Sequence, residues 1–206
     1  MTRLMLKRAD VFLTRGPGLV SRLIRFFTRA IGESRTQVNH VGIVVEDGPL
    51  QDVNVIEALS KVRRHSLWAT YGPPRRDWVA IFRPTNLTDA EIEAVVKEAE
   101  RHWREADGYG YVKIVLHFLD WLLLGAYVFR RLARMERYPI CSWLVADAFK
   151  EADKSFGVSP GAASPDDIWD FIQRHPDIYE EVYPLAPLRE EAIEKVAGLP
   201  TANPPD

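Results

Sequence analysis

The chain is poor in cysteine: its 206 residues include one, Cys141. A lone cysteine forms no internal disulfide and no multi-cysteine zinc site, which excludes a disulfide scaffold and a zinc ribbon. With no resolving cysteine, a disulfide relay within the chain is excluded as well. Charge of one sign is not in excess, since 27 basic and 29 acidic side chains leave a net −2. That balance, and the lack of a glycine-aromatic motif, speak against a nucleic-acid partner. No long uninterrupted apolar run is present. The longest, 114–129, is broken by His117 and Asp120 and falls short of the roughly 20 residues a spanning helix needs. The first ten residues lack an apolar run followed by a small-residue cleavage site, so no secretory signal and a cytoplasmic location are expected. Metal-protease, EF-hand, phosphate-loop and dinucleotide signatures are all missing, and neither metal nor cofactor is expected.

What is present suffices for a core: 47% of residues are hydrophobic and 27% charged. Without repeats or low-complexity linkers, 1–197 reads as one domain and the proline-bearing 198–206 as a disordered tail. Short β-branched runs at 11–13, 40–46, 53–59 and 78–82, bounded by turn residues, read as strands. Thr88 and Glu91 form a capping box that opens a helix to about Glu105. A long apolar helix is expected over 112–136, another helix near Cys141 after Pro139, and a further one starting at Ser164-Pro165. The order implies an α+β fold with an antiparallel sheet.

Charge is unevenly spread. Residues 1–35 carry eight basic and two acidic side chains, a net +6. Within them, Leu19, Val20, Leu23, Ile24, Phe27 and Ile31 recur at helical spacing opposite Arg22, Arg25 and Arg29. This amphipathic helix over 18–31 either packs on a core with a solvated face or meets an anionic surface. The cluster Arg130, Arg131, Arg134 and Arg137 just past the apolar run adds to the second reading, peripheral contact with an anionic membrane through 18–31 and 130–137.

Cys141 opens a run in which 141, 144, 145, 148 and 149 share one helix face. Its sulfur therefore stands on the packing side, at the end where the helix dipole favours an anion. Two readings are open: a small buried hydrophobe, or an activated nucleophile. The second needs a base. His40 opens one strand and Glu57 lies in the next. A hairpin symmetric about Gly48-Pro49 places the two directly opposite, where the carboxylate would orient the imidazole. His65, in a basic stretch read as a loop, His102 amid helix charges, His117 and His175 read as structural.

Five short segments (Ala9-Asp-Val-Phe-Leu, Asn39-His-Val-Gly-Ile-Val, Val55-Ile-Glu-Ala, Ile140-Cys-Ser-Trp-Leu-Val and Ser164-Pro-Asp-Asp-Ile) together resemble the circularly permuted papain-like cysteine hydrolases. That group includes the YiiX-like bacterial proteins and, more distantly, the lecithin:retinol acyltransferases, within the NlpC-like superfamily. The resemblance spans about residues 8–172 and includes the permuted order, histidine before cysteine. It implies a permuted papain-like fold in which Cys141 is the nucleophile, His40 the base and Glu57 the orienting acid. The Cys141 backbone N–H at its helix start would serve as an oxyanion donor, with a tyrosine such as Tyr109 or Tyr111 as a second. The expected activity is a cysteine hydrolase of amidase or peptidase type, working through a thioester on a peptide or peptidoglycan-derived substrate. The alternatives are an acyltransferase or esterase acting on lipid at a membrane surface, and a non-enzymatic membrane-surface module.

Overall fold

A computed structural model describes residues 3–16, 37–58, 61–105 and 141–189. Within them run β1 (Met5–Leu6), β2 (Val11–Arg15), β3 (His40–Val44), β4 (Gly48–Pro49), β5 (Asn54–Ala58), β6 (Val62–Ser66), α1 (Leu67–Tyr71), β7 (Trp78–Pro84), α2 (Asp89–Glu105), α3 (Cys141–Lys150), a 3-10 turn (Pro160–Ala162), α4 (Pro165–Arg174) and β8 (Tyr179–Pro187). Six strands form an antiparallel sheet in the order β6-β5-β3-β2-β7-β8, and β1 pairs with β4 apart from it. The architecture is thus α+β with antiparallel pairing. The basic helix at 18–31, the apolar helix at 112–136, Tyr109, Tyr111, His117, the Arg130–Arg137 cluster and the tail at 198–206 lie outside the described residues. Among the described residues no helix is long and apolar enough to cross a membrane.

The four central strands are those the β-branched runs predict. Each alternates its side chains between two buried layers. Val11, Leu13, Val41, Ile43 and Ile56 join one cluster with Val95 of α2, Leu144 and Phe149 of α3 and Ile168 of α4. Phe12, Val44, Val55, Val79 and Ile81 join the other, with Leu4, Leu6, Leu67, Tyr71 and Tyr183. Both faces being covered explains why the strands read as nearly continuous apolar runs. Of the strands in the six-stranded sheet, two are absent from the sequence expectation, and both are its edges. In β6, Val62-Arg-Arg-His-Ser, only Val62 is buried, so no apolar alternation marks it. β8 holds Pro184 and Pro187, which an edge tolerates because one side of the strand needs no ladder donors.

Two contacts fix the layer that carries Cys141. Ser142 is buried and its hydroxyl donates to the Ala163 carbonyl at 2.6 Å. The next residue, Ser164, caps α4, accepting from the Asp167 N–H at 3.1 Å while its own N–H donates to the Asp167 carboxylate at 2.9 Å. The first turn of α3 is thereby tied to the start of α4. On the far side of β2, buried Asp10 accepts two hydrogen bonds from Arg83 of β7, at 2.9 and 2.8 Å. Ala9 before it sits at φ 68°, a left-handed conformation that favours glycine. Asp10 is a structural anchor rather than a member of the polar cluster described next.

Candidate active site

The cluster grows from the register of three strands. Glu57 of β5 lies directly opposite Gly42 of β3, Ile56 opposite Ile43 and Val55 opposite Val44. The symmetric-hairpin expectation, His40 directly opposite Glu57, is therefore wrong by two residues. The reason is the connection: residues 45–53 include the short strand Gly48–Pro49, which pairs with β1 instead of forming a tight two-residue turn. A slip of two keeps side-chain parity, so His40 and Glu57 still share a face as diagonal neighbours, within reach of long side chains. His40 Nε2 and Glu57 Oε2 stand 2.6 Å apart.

Gly42 makes this diagonal possible. A Cβ there would stand 2.4 Å from Phe12 Cε1 and 2.9 Å from Glu57 Cβ. The position opposite Glu57 is packed against the Phe12 ring, so it admits no side chain beside the His40–Glu57 pair. Gly42→Ala is expected to destabilise the fold by about 1–3 kcal/mol, as overpacked cores do, and to displace Glu57 from His40. Urea unfolding against wild type, with thiol reactivity measured on the folded variant, checks both effects.

Glu57 has no exposed surface. A buried carboxylate is tolerable only when fully hydrogen-bonded, and this one has three partners. Oε2 receives His40 Nε2 and the Tyr71 hydroxyl, the latter at 2.7 Å, and Oε1 receives His65 Nε2 at 2.7 Å. Burial pushes Glu57 up, but the His40 charge and these three bonds hold it below the ordinary carboxylate value. Burial, together with the adjacent Glu57 charge, drives the Tyr71 phenol well above its usual value, so Tyr71 remains a donor. Because a carboxylate only accepts, both histidines present Nε2–H to it.

With Nε2 committed, His40 has Nδ1 left for the thiol. Its ring and Cys141 interact by charge and by a side-chain hydrogen bond. Cys141, the first residue of α3, is half-buried. It packs with the helix-side layer, whereas Glu57 and Tyr71 belong with the other, so the two meet at His40, the first residue of β3. Burial raises a thiol's pKa. Here the His40 charge and hydrogen bond, helped by bonds from the Val41 and Ser142 backbone, bring Cys141 below its ordinary value. Burial would likewise lower His40, yet Cys141 and Glu57 on its two sides raise it. The His40 charge thus favours the thiolate form of Cys141, and the Glu57 carboxylate favours the charged form of His40.

The structure brings together Cys141, His40 and Glu57, the last two as diagonal neighbours rather than directly opposite. His65 and Tyr71 join them unforeseen. His65 is not in a loop but on β6, where Val55 lies opposite it and Glu57 is its diagonal neighbour. An imidazole two positions from the carboxylate's partner on each flanking strand was the available signal, had β6 been recognised as a strand. Tyr71 lies on α1, and nothing in the local sequence ties it to Glu57.

The remaining described histidines are elsewhere. His102 of α2 is buried against Trp143, with Nε2 3.0 Å from Asp147 and 3.2 Å from Glu98. These three are the described residues with a metal-donor grouping, their ligand atoms lying within 4.8 Å of one another. Glu98 is also bonded to Arg101, so the group is satisfied as a histidine held between two carboxylates. His175 ends α4, stacked on Phe171.

No protein-family model matches the chain, and no curated protein is significantly similar to it. Among solved structures, it is similar to the crystal structure of the metalloprotein yiiX from Escherichia coli O157:H7, over 96% of each chain, at 14% identity and a TM-score of 0.46. A likeness that slight decides nothing about chemistry.

Proposed function

We propose that the chain is a cysteine-nucleophile hydrolase of the permuted papain-like kind, cleaving an amide or ester bond through a thioester. One observation carries this reading. Cys141 at a helix start, His40 at a strand start and Glu57 across the sheet, far apart in sequence, form a continuous chain from thiol to imidazole to buried carboxylate. A structural thiol has no need of an imidazole oriented by a carboxylate, whereas acyl transfer needs that arrangement.

In this mechanism the Cys141 proton has already passed to His40 Nδ1 before substrate binds, and the thiolate sulfur attacks the substrate carbonyl. The carbonyl oxygen becomes an oxyanion facing the Cys141 backbone N–H. Collapse of the tetrahedral intermediate expels the amine or alcohol, which receives the proton from His40 and leaves an acyl thioester on Sγ. Water, deprotonated by His40, attacks that thioester and regenerates the thiol. Glu57 keeps its negative charge throughout, stabilising the imidazolium and holding its tautomer. A peptide or peptidoglycan-like amide is the preferred substrate class, in line with the family resemblance.

The test is alkylation of Cys141 by iodoacetamide across pH. Since the thiol's pKa is lowered, the thiolate persists to lower pH, and the reactivity midpoint is expected below the value of about 8.5 typical of free cysteine. Since His40 is raised, it stays protonated through neutrality. In His40→Ala the midpoint is expected to rise to 8.5 or above, because burial then acts on the thiol against the Val41 and Ser142 backbone bonds alone. A wild-type midpoint near 8.5, unmoved in His40→Ala, would sink the reading.

A further inference from the structure

We propose that His65 is a positioning residue of this site, a second imidazole that locks the Glu57 carboxylate so that Oε2 faces His40. This inference rests on the hydrolase reading and extends it to residues that touch neither sulfur nor substrate.

A carboxylate on a strand has a free terminal torsion, and one hydrogen bond to His40 leaves the plane of the group undetermined. His65 Nε2, at 2.7 Å, takes the other oxygen, Oε1. The two histidines approach from opposite sides, one on β3 and one on β6, each diagonal to Glu57 across its own strand pair. Together they pin both oxygens, and Tyr71 adds a second donor to Oε2. A rotation of the carboxylate that weakened the His40 bond would break the His65 bond as well.

His65 is itself oriented. Thr70 Oγ1, in the helix that follows β6, is 2.7 Å from Nδ1. In the neutral ring with its proton on Nε2, Nδ1 accepts from that hydroxyl, so Thr70 selects the tautomer that donates to Glu57. The Ser66 carbonyl, 3.2 Å from the same nitrogen, accepts from it when the ring is doubly protonated. Nε2–H faces Glu57 in either state. The order Thr70, His65, Glu57, His40, Cys141 is therefore a single hydrogen-bonded line in which each member fixes the next. At metal sites, losing the partner one step behind a ligating histidine costs about 10–100-fold, and the same orienting logic applies here.

The experiment compares His65→Leu, His65→Gln and Thr70→Val by the pH profile of Cys141 alkylation, with thermal unfolding recorded for each. Leucine removes the donor to Oε1. Glutamine keeps an N–H the same number of bonds from Cα as Nε2, without the titratable ring. His65→Leu is expected to move the alkylation midpoint up by about one pH unit and to cut reactivity at pH 6.5 about tenfold. His65→Gln is expected to restore the wild-type midpoint, and Thr70→Val to shift it in the leucine direction by less. Loss of stability alone moves the melting temperature and leaves the midpoint of the folded protein in place. An unmoved midpoint in folded His65→Leu, or an equal shift in the leucine and glutamine variants, overturns the inference. If the wild-type midpoint is depressed and lost in His40→Ala but unmoved in His65→Leu, this inference fails and the hydrolase reading stands. A wild-type midpoint near 8.5 defeats both.

Discussion

Cys141→Ala is expected to lower turnover of any amide or ester substrate by about a million-fold, while the protein stays folded. Removal of a covalent nucleophile has an effect of that order because the steps it splits cannot proceed through the remaining groups. The structural cost is small, since the half-buried Cys141 side chain is replaced by one a single heavy atom shorter. Unfolding stability is expected to change by no more than about 1 kcal/mol. Labelling with an acyl electrophile, followed by mass mapping, reads the same point without a known substrate. The adduct is expected on Cys141 in wild type and nowhere in Cys141→Ala. Full turnover in the alanine variant, or an adduct on another residue, would refute the assignment.

Glu57→Leu is expected to damage stability as well as activity. Leucine fills a similar volume but accepts no hydrogen bond, which strands donors from His40, His65 and Tyr71 beside a site with no exposed surface. Breaking a buried charged group away from its partners costs about 3–5 kcal/mol. Glu57→Gln keeps the shape but turns one accepting oxygen into a donor. Its unfolding cost is expected to be smaller and its turnover about 10²–10⁴-fold below wild type, because a neutral amide no longer balances the His40 imidazolium. Acidity separates the two carboxylate roles. Glu57 is held below its ordinary value, so the stability it contributes is fully present above about pH 4.5 and is lost as pH falls through its folded value. Urea unfolding from pH 7 down to pH 3 is expected to show a steeper acid loss in wild type than in Glu57→Gln. Equal slopes would mean that Glu57 is not the anion described.

The parts of this architecture legible in the chain are those governed by local chemistry. The β-branched runs predict the four central strands, and Thr88 and Ser164 mark two helix starts, because capping and strand propensity act over a few residues. The cysteine face is equally local, since Leu144, Val145, Ala148 and Phe149 are buried at the spacing of one helix stripe. Edge strands were illegible for the converse reason. β6 and β8 are strands because a neighbour's ladder holds them, not because their own residues alternate. His65 follows β6 in this, since its place on the strand is set by the ladder to β5.

Parity along a strand and phase along a helix are properties of the chain, so the sequence nominates Cys141, His40 and Glu57 as candidates, the family resemblance implies their roles, and a slip of two residues leaves parity intact. Tertiary structure decided everything that depends on pairing between segments. It set the register that puts Gly42, not His40, opposite Glu57, and packed the Phe12 ring where a side chain at Gly42 would stand. It also brought His65 and Tyr71 onto the same carboxylate. Those contacts join strands and a helix through hydrogen bonds a few ångströms long. Such distances are fixed only when the sheet closes around a buried charge that must be fully satisfied.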